Sequence, residues 1–214
     1  MNTVRLGNRK WTPGKVLCVG RNYLEHIQEL NNAVPEEMVV FHKPNSSITD
    51  QLVSFHHQEP LHYEAEISFL IKDQQFHAVG LGLDLTKRTL QSYLKKKGLP
   101  WERAKAFDDS AVFSRFIPLK GMDITSLSFE LFINCVRVQY GTVRQMIYAP
   151  ETILDELKTY TTLCDGDIVM TGTPKGVGMI QDGDIFLARL KSGEKTLIET
   201  EWVASPPNAQ FSLL

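Results

Sequence analysis

Two acidic residues lie two apart in Leu61-His62-Tyr63-Glu64-Ala65-Glu66-Ile67-Ser68-Phe69-Leu70-Ile71, a β-branched and aromatic run. Gln58-Glu59-Pro60 precedes it and Lys72-Asp73-Gln74 follows, which predicts a strand. Side chains two apart on a strand share a face, so His62, Glu64 and Glu66 line one side and Tyr63, Ala65 and Ile67 the other. Carboxylates that close repel one another, and a hard divalent ion such as Mg²⁺ or Mn²⁺ relieves the repulsion. A solvated strand face accounts for the same alternation. His26 and Glu29, three apart in a helical stretch, share a face. A carboxylate holding an imidazole fixes its tautomer and raises its basicity, as activation of water requires, although such a pair is more often a surface contact. Asp84 ends an apolar segment just before a helix, as a third carboxylate ligand or as a simple cap. Lys43 is a surface charge or faces an anionic substrate.

These residues need elements to position them. Residues 15–19, Lys-Val-Leu-Cys-Val, read as a buried strand ended by Gly20. Residues 24–30 read as a short helix with Asn22 as N-cap, followed by a polar segment over 31–37. Residues 39–44 form a strand stopped at Pro44, with a turn at Asn45-Ser46-Ser47. The apolar segment 78–86 leads into a helix over 87–97, with Thr86 as its cap, lysines in its last turn and Gly98 just past its end. Residues 124–138 alternate as strands around Asn134, 139–146 read as a loop, and 149–160 as a helix with Ile153, Leu154 and Leu157 inward. Strands follow at 168–170, 184–190 and 196–203, before a loose tail at Ala204-Ser205-Pro206-Pro207. The Gly-rich stretch 171–178 matches neither the phosphate loop nor the dinucleotide fingerprint.

The chain has 214 residues, 43% apolar and 22% charged, as expected of one globular domain over 1–214 with its core at about 15–203. A net charge of -2 carries no nucleic-acid footprint. No run is long enough to span a membrane, and the first residues lack the apolar region of a signal peptide. Cys18, Cys135 and Cys164 form no zinc pattern and point to a reducing, cytoplasmic setting.

Taken in order, the chain resembles the fumarylacetoacetate hydrolase superfamily, in its small acylpyruvase-like branch. The resemblance rests on Val19-Gly20-Arg21-Asn22-Tyr23 with His26 and Glu29, Phe41-His42-Lys43-Pro44, His62-Tyr63-Glu64-Ala65-Glu66, and Leu83-Asp84-Leu85-Thr86 with Gln91. Lys96-Lys97-Gly98-Leu99-Pro100-Trp101, Ala104-Lys105-Ala106-Phe107-Asp108 and Thr171-Gly172-Thr173-Pro174-Lys175-Gly176-Val177-Gly178 complete it. It implies an α+β, predominantly β fold, a mixed β-roll with a few short helices, commonly a homodimer. It further implies Mg²⁺ or Mn²⁺ on Glu64, Glu66 and Asp84, with Lys105 beside the metal and His26 and Glu29 on a lid. Arg21, Gln91 and Thr173 match positions at or near the substrate. Three departures stand out: Glu66 and Asp84 lack the usual helical insertion between them, Asn134-Cys135 replaces an Asn-Gly turn, and Val143 replaces a small polar residue.

The implied substrate is a small 2-oxo or 2,4-dioxo acid whose carboxylate and keto oxygens meet the metal. Cleavage of the C3–C4 bond of an acylpyruvate leaves an enolate that the ion and Lys105 hold, while His26, oriented by Glu29, activates water. Oxaloacetate decarboxylation and 2-oxo-enoate isomerisation or tautomerisation pass through the same enolate and are the alternatives. A non-catalytic β-roll predicts broken site residues, and none is broken. A cupin wants clustered strand histidines, but His56 and His57 are adjacent and face opposite ways.

Overall fold

The computed structural model describes residues 1–30 and 33–206. Asn31 and Asn32 of the polar segment, and Pro207 of the tail, lie outside the described residues. The first apolar run forms Lys15–Gly20 (β1), followed by the helix Leu24–Glu29 (α1) and the strand Val39–Pro44 (β2). After the short strand Ile48–Thr49 (β3) come Ala65–Lys72 (β4) and Gln75–Asp84 (β5), which form a hairpin. The helices Arg88–Lys97 (α2) and Glu102–Lys105 (α3) then lead to Ala111–Phe113 (β6). The remaining elements are Leu127–Ile133 (β7), Val136–Thr142 (β8), helix Pro150–Tyr160 (α4), Ile168–Met170 (β9), Ile185–Ser192 (β10) and Lys195–Val203 (β11).

The larger sheet runs β2-β1-β9-β4-β5-β6-β3, with Ile117–Pro118 also paired to β5. β9 pairs parallel to β1, and β6 parallel to β3, while the other neighbours are antiparallel, so the sheet is mixed. The second sheet, β8-β7-β10-β11, is antiparallel. Phe69, Leu81 and Leu83 of the first sheet share one apolar cluster with Phe129, Leu131, Phe186 and Leu190 of the second. Each such buried side chain contributes about 1.5–3 kcal/mol relative to exposure. Further along the same face, Leu17, Val19 and Val169 pack against Ile153, Leu154 and Leu157 of α4, while Val16, Leu70 and Ile168 on the other face form a cluster with Val4, Ile48 and Phe116. A sheet covered on both faces requires apolar residues in succession, which is why β1, β4 and β9 read as continuous runs. The architecture is the strand-dominated α+β roll expected, and the matched solved structures described below share it.

Several local expectations change. Tyr23, not Asn22, occupies the N-cap position of α1; Asn22 is buried and its amide instead ties Tyr148 to Thr171. Thr86 does not cap α2, which starts after Lys87; its hydroxyl turns into the candidate site. The stretch read as a loop over 139–146 continues β8 to Thr142 and then makes a 3-10 turn, Val143–Gln145. Val143 is buried in the core cluster, where an apolar side chain is favoured. Asn134 and Cys135 both take positive φ (49° and 68°), so the hairpin turn keeps its left-handed geometry despite the absence of glycine. The missing insertion is replaced by a tight turn at Asp73 and Gln74, both also at positive φ. The tail is anchored at its start, since Ala204 donates to Asp184 and Ser205 to Leu52.

Candidate metal centre

The β4–β5 ladder sets the acidic residues against one another. Glu66 stands opposite Gly82, the Asp84 amide donates to the Glu64 carbonyl at 2.9 Å, and His62 pairs with Thr86. Glu64, Glu66 and Asp84 therefore project into one buried space, each offering a carboxylate oxygen within 4.8 Å of the others. Gly82 is required beside them. A Cβ there would come within 2.9 Å of Ser68 Oγ and of Met170 Cε. His62, on the same alternation, stays only half-buried at the rim.

Lys105, at the end of α3, reaches across the triad. Its Nζ donates to Asp84 Oδ2 and to Thr86 Oγ1 at 2.6 Å, and to Glu64 Oε2 at 2.9 Å. Arg88, at the start of α2, pairs with the other oxygen of Glu64 and donates to Gln91 Oε1 at 2.8 Å. Burial works against the charge of Glu64, but Lys105 and Arg88 outweigh it and hold the carboxyl well below its usual range. Burial also opposes the Lys105 charge, and Asp84 and Glu64 overcome it, so its pKa is raised. Glu66 lacks such cations. Burial, then the neighbouring Asp84 and Glu64 charges, push its pKa well above the ordinary carboxylate value. It accepts the Gly172 amide at 2.6 Å. Gly172 has φ +96°, and a Cβ there would stand 2.8 Å from the Asn22 Cβ, so this position suits glycine alone.

Three buried carboxylates with hard oxygen donors fit a divalent cation. Asp84 Oδ1 adds to the fit: Lys43 Nζ lies 2.8 Å away as an ion pair, yet the angle makes no hydrogen bond and the oxygen has no donor. Glu66, whose ionised form is disfavoured by burial and by the Asp84 and Glu64 charges, is the carboxylate whose ionisation a cation would favour.

Above the triad, α1 presents His26, which is buried. Its Nδ1 lies 3.2 Å from Glu29 Oε2, and Glu29 Oε1 accepts the Gly176 amide at 3.0 Å. The loop 171–178 thus orients Glu29, and Glu29 orients His26. Burial lowers the His26 pKa despite the nearby Glu64 and Glu29, so the ring is neutral near pH 7.

Arg21, His26, Glu64, Glu66, Asp84, Gln91, Lys105 and Thr173 all line one cavity. Glu29 stands one step back, behind His26. Lys43 does not line the cavity; it is fully buried behind Asp84, so the expectation that it faces substrate is replaced by a place beneath the ligands. Sequence reasoning missed Arg88, although its spacing of three from Gln91 on a helix was a readable signal. It also missed Gln139, which is buried and joins Ala65 N–H to the Thr173 hydroxyl and the Pro174 carbonyl. No local signal in the sequence marks that role.

The family description "fumarylacetoacetate (FAA) hydrolase C-terminal" matches residues 15–199. The chain is 39% identical over 192 residues to the oxaloacetate tautomerase YcgM of Escherichia coli K12, covering 79% of this chain and 85% of that protein. It is 35% identical over 194 residues to the mitochondrial oxaloacetate tautomerase FAHD1 of Homo sapiens, covering 83% and 87%. Among solved structures, a protein from Oleispira antarctica provisionally described as a fumarylacetoacetate isomerase/hydrolase superposes with a TM-score of 0.90 at 32% identity, over 95% of this chain and 100% of that one. The fumarylpyruvate hydrolase of Pseudomonas aeruginosa, solved with Mn²⁺ and pyruvate, gives 0.86 at 25% identity over 96% of each chain. With the acidic triad, the His26–Glu29 pair and Lys105 gathered in one cavity of this fold, the chain belongs to the fumarylacetoacetate hydrolase family.

Proposed function

We propose that this protein is a divalent-metal-dependent enzyme that interconverts the enol and keto forms of a small 2-oxo acid, with oxaloacetate as the first candidate substrate. The observation that carries the reading is the buried triad of Glu64, Glu66 and Asp84 bridged by Lys105 within reach of a neutral, carboxylate-oriented histidine. Identities of 35–39% to oxaloacetate tautomerases favour this reaction over the others that the same site would support. Mg²⁺ or Mn²⁺ held by Glu64, Glu66 and Asp84 would supply Lewis acidity toward the oxygens of the 2-oxo acid.

The residues divide the rest of the work. Ketonisation removes a proton from the C2 hydroxyl and adds one at C3, so a base, an acid and charge stabilisation are needed. Glu29 accepts the Nδ1 proton of His26, which leaves Nε2 as the basic nitrogen. The Lys105 ammonium, locked by three acceptors, stabilises negative charge on the enolate oxygen. Arg21, Gln91 and Thr173 line the remainder of the cavity, where they orient the substrate.

A second reading, hydrolysis of the C3–C4 bond of an acylpyruvate, draws on the same His26–Glu29 pair as the base for water and on the similarity to a fumarylpyruvate hydrolase. The test is loss of enol-oxaloacetate absorbance beside loss of acetylpyruvate, each with Mg²⁺, Mn²⁺ or EDTA. Metal-dependent ketonisation that outpaces acetylpyruvate cleavage supports the tautomerase. The reverse order makes the protein a hydrolase, and loss of oxaloacetate itself with release of CO₂ makes it a decarboxylase. The three cysteines, free of disulfides, suit the reducing cytoplasm. No helix among the described residues is long and apolar enough to cross a membrane. A single catalytic domain acting as a homodimer is the assembly supported by the family resemblance.

A further inference from the structure

One wall of the cavity carries cations that the triad does not use. Lys95 and Arg21 both line it, and both approach the ring of Trp101: Lys95 Nζ at 4.8 Å from the ring centre and Arg21 Cζ at 5.7 Å. Trp101 is held in place by Phe41, 6.0 Å away between ring centres, and by the end of β1 at Gly20. Phe41 in turn stacks beneath Lys105 Nζ at 5.3 Å, so this wall adjoins the triad.

Neither cation is explained by structure alone. Lysines in the last turn of a helix normally complement the helix dipole from solvent, as the exposed Lys96 and Lys97 do. Lys95 instead turns inward and is half-buried. Arg21 holds φ at +57°, a conformation that non-glycine residues seldom adopt, and its Nε is buried without a hydrogen-bond partner. Among the described residues, Arg88 and Lys105 are paired with Glu64 and Asp84, whereas Arg21 and Lys95 make no ion pair. Burial, and then the Arg21 and Arg88 charges, bring the Lys95 pKa down to about 8. Two like charges over one ring, lining a cavity and in no ion pair with its carboxylates, are poised to take an anion from the ligand.

We propose that Arg21 and Lys95, stacked on Trp101, form a second anion subsite that receives a carboxylate at the end of the substrate remote from the triad, so that the site selects dicarboxylic over monocarboxylic 2-oxo acids. The inference rests on the 2-oxo acid chemistry proposed for the triad, but its test does not require turnover.

The experiment is calorimetric binding to the full-length Mn²⁺-loaded protein of 3,3-difluoro-oxaloacetate, which has no C3 hydrogen and cannot enolise, and of pyruvate. The wild type is expected to bind the dianion at least about tenfold more tightly. Lys95→Met and Arg21→Gln are each expected to cut that preference by about tenfold, the scale of one lost charge-assisted contact. Lys95→Arg, which keeps the charge, should retain most of it, and Lys96→Met on the solvent side should leave the ratio at the wild-type value. A wild type without preference for the dianion overturns the subsite, as does a preference that survives in both Lys95→Met and Arg21→Gln. Selective dianion binding by a protein that does not ketonise oxaloacetate would leave the subsite standing and remove the tautomerase reading. Ketonisation without selectivity would do the opposite.

Discussion

Lys43 and Asp84 form an ion pair at 2.8 Å between Nζ and Oδ1, with side chains 0% and 1% exposed. The same ammonium donates to Ser110 Oγ and to the Ser110 carbonyl at 3.0 Å, and also to the Lys105 carbonyl. One buried cation therefore holds a candidate metal ligand from behind and fixes the backbone of the lysine that faces it from the front. Removing one partner of a buried pair leaves the other uncompensated, at a cost of about 3–5 kcal/mol. Lys43→Met is expected to lower the unfolding free energy by that order in urea denaturation and to weaken Mn²⁺ binding in calorimetry. Stability within about 1 kcal/mol of wild type, with unchanged Mn²⁺ affinity, would remove Lys43 from its supporting role.

Glu66 supplies a prediction about protons. Its folded pKa lies well above the ordinary carboxylate value, chiefly through burial and the adjacent Asp84 and Glu64 charges. Between the ordinary carboxylate value and that raised one, the metal-free folded protein holds a proton that the unfolded chain has released. The stability from this group is fully present below the usual carboxylate pKa and is lost as pH rises through the folded value. A metal ion must displace that proton, so Mn²⁺ affinity should rise with pH. Titrations in buffers of different ionisation enthalpy should show proton release, and Glu66→Gln should bind Mn²⁺ more weakly with that release reduced. Binding heats that do not vary with the buffer would show Glu66 already ionised.

Gln139 links the two halves of the site without touching a candidate ligand. Its carbonyl oxygen accepts Ala65 N–H at 3.0 Å, between Glu64 and Glu66, and its amide donates to Thr173 Oγ1 and the Pro174 carbonyl at 2.9 Å. Gln139→Leu keeps the bulk but leaves the buried Ala65 amide unsatisfied, at about 1–3 kcal/mol. Chemical denaturation should register the loss, and hydrogen exchange should speed up at Ala65 and along 171–176. Unchanged exchange at both places would show that the ladder alone holds the loop.

How much of this was legible beforehand follows from the range of the forces involved. The alternation of Glu64 and Glu66, the apolar runs of β1 and β4, and the amphipathic α4 are local patterns, and the structure realises them. Asn22 and Thr86 have the residue types that commonly cap helices locally, yet both are buried where distant backbone and Lys105 compete for the same side chains. Lys43 carries no local mark that distinguishes a substrate contact from a buried support. Only the packing of β2 beneath β5 and α3 decides between them.

His26 yields the sharpest kinetic expectation. Burial pulls its pKa below the ordinary imidazole value, against the opposing pull of Glu64 and the hydrogen bond to Glu29. As a base it stays available below pH 6.5, so the acidic limb of the pH–rate profile should lie beneath that value rather than at or above it. The same depressed pKa contributes stability that is present above the unfolded value and lost as pH falls through the folded one. His26→Ala should remove that contribution while lowering turnover by about 10²–10⁴-fold, the usual reach of general acid–base catalysis. Glu29→Gln removes the carboxylate that holds Nδ1 and should shift the acidic limb lower still, together with a fall in rate. Turnover of His26→Ala within about tenfold of wild type would assign the proton transfer elsewhere in the cavity, with Lys105 the nearest remaining donor to the triad.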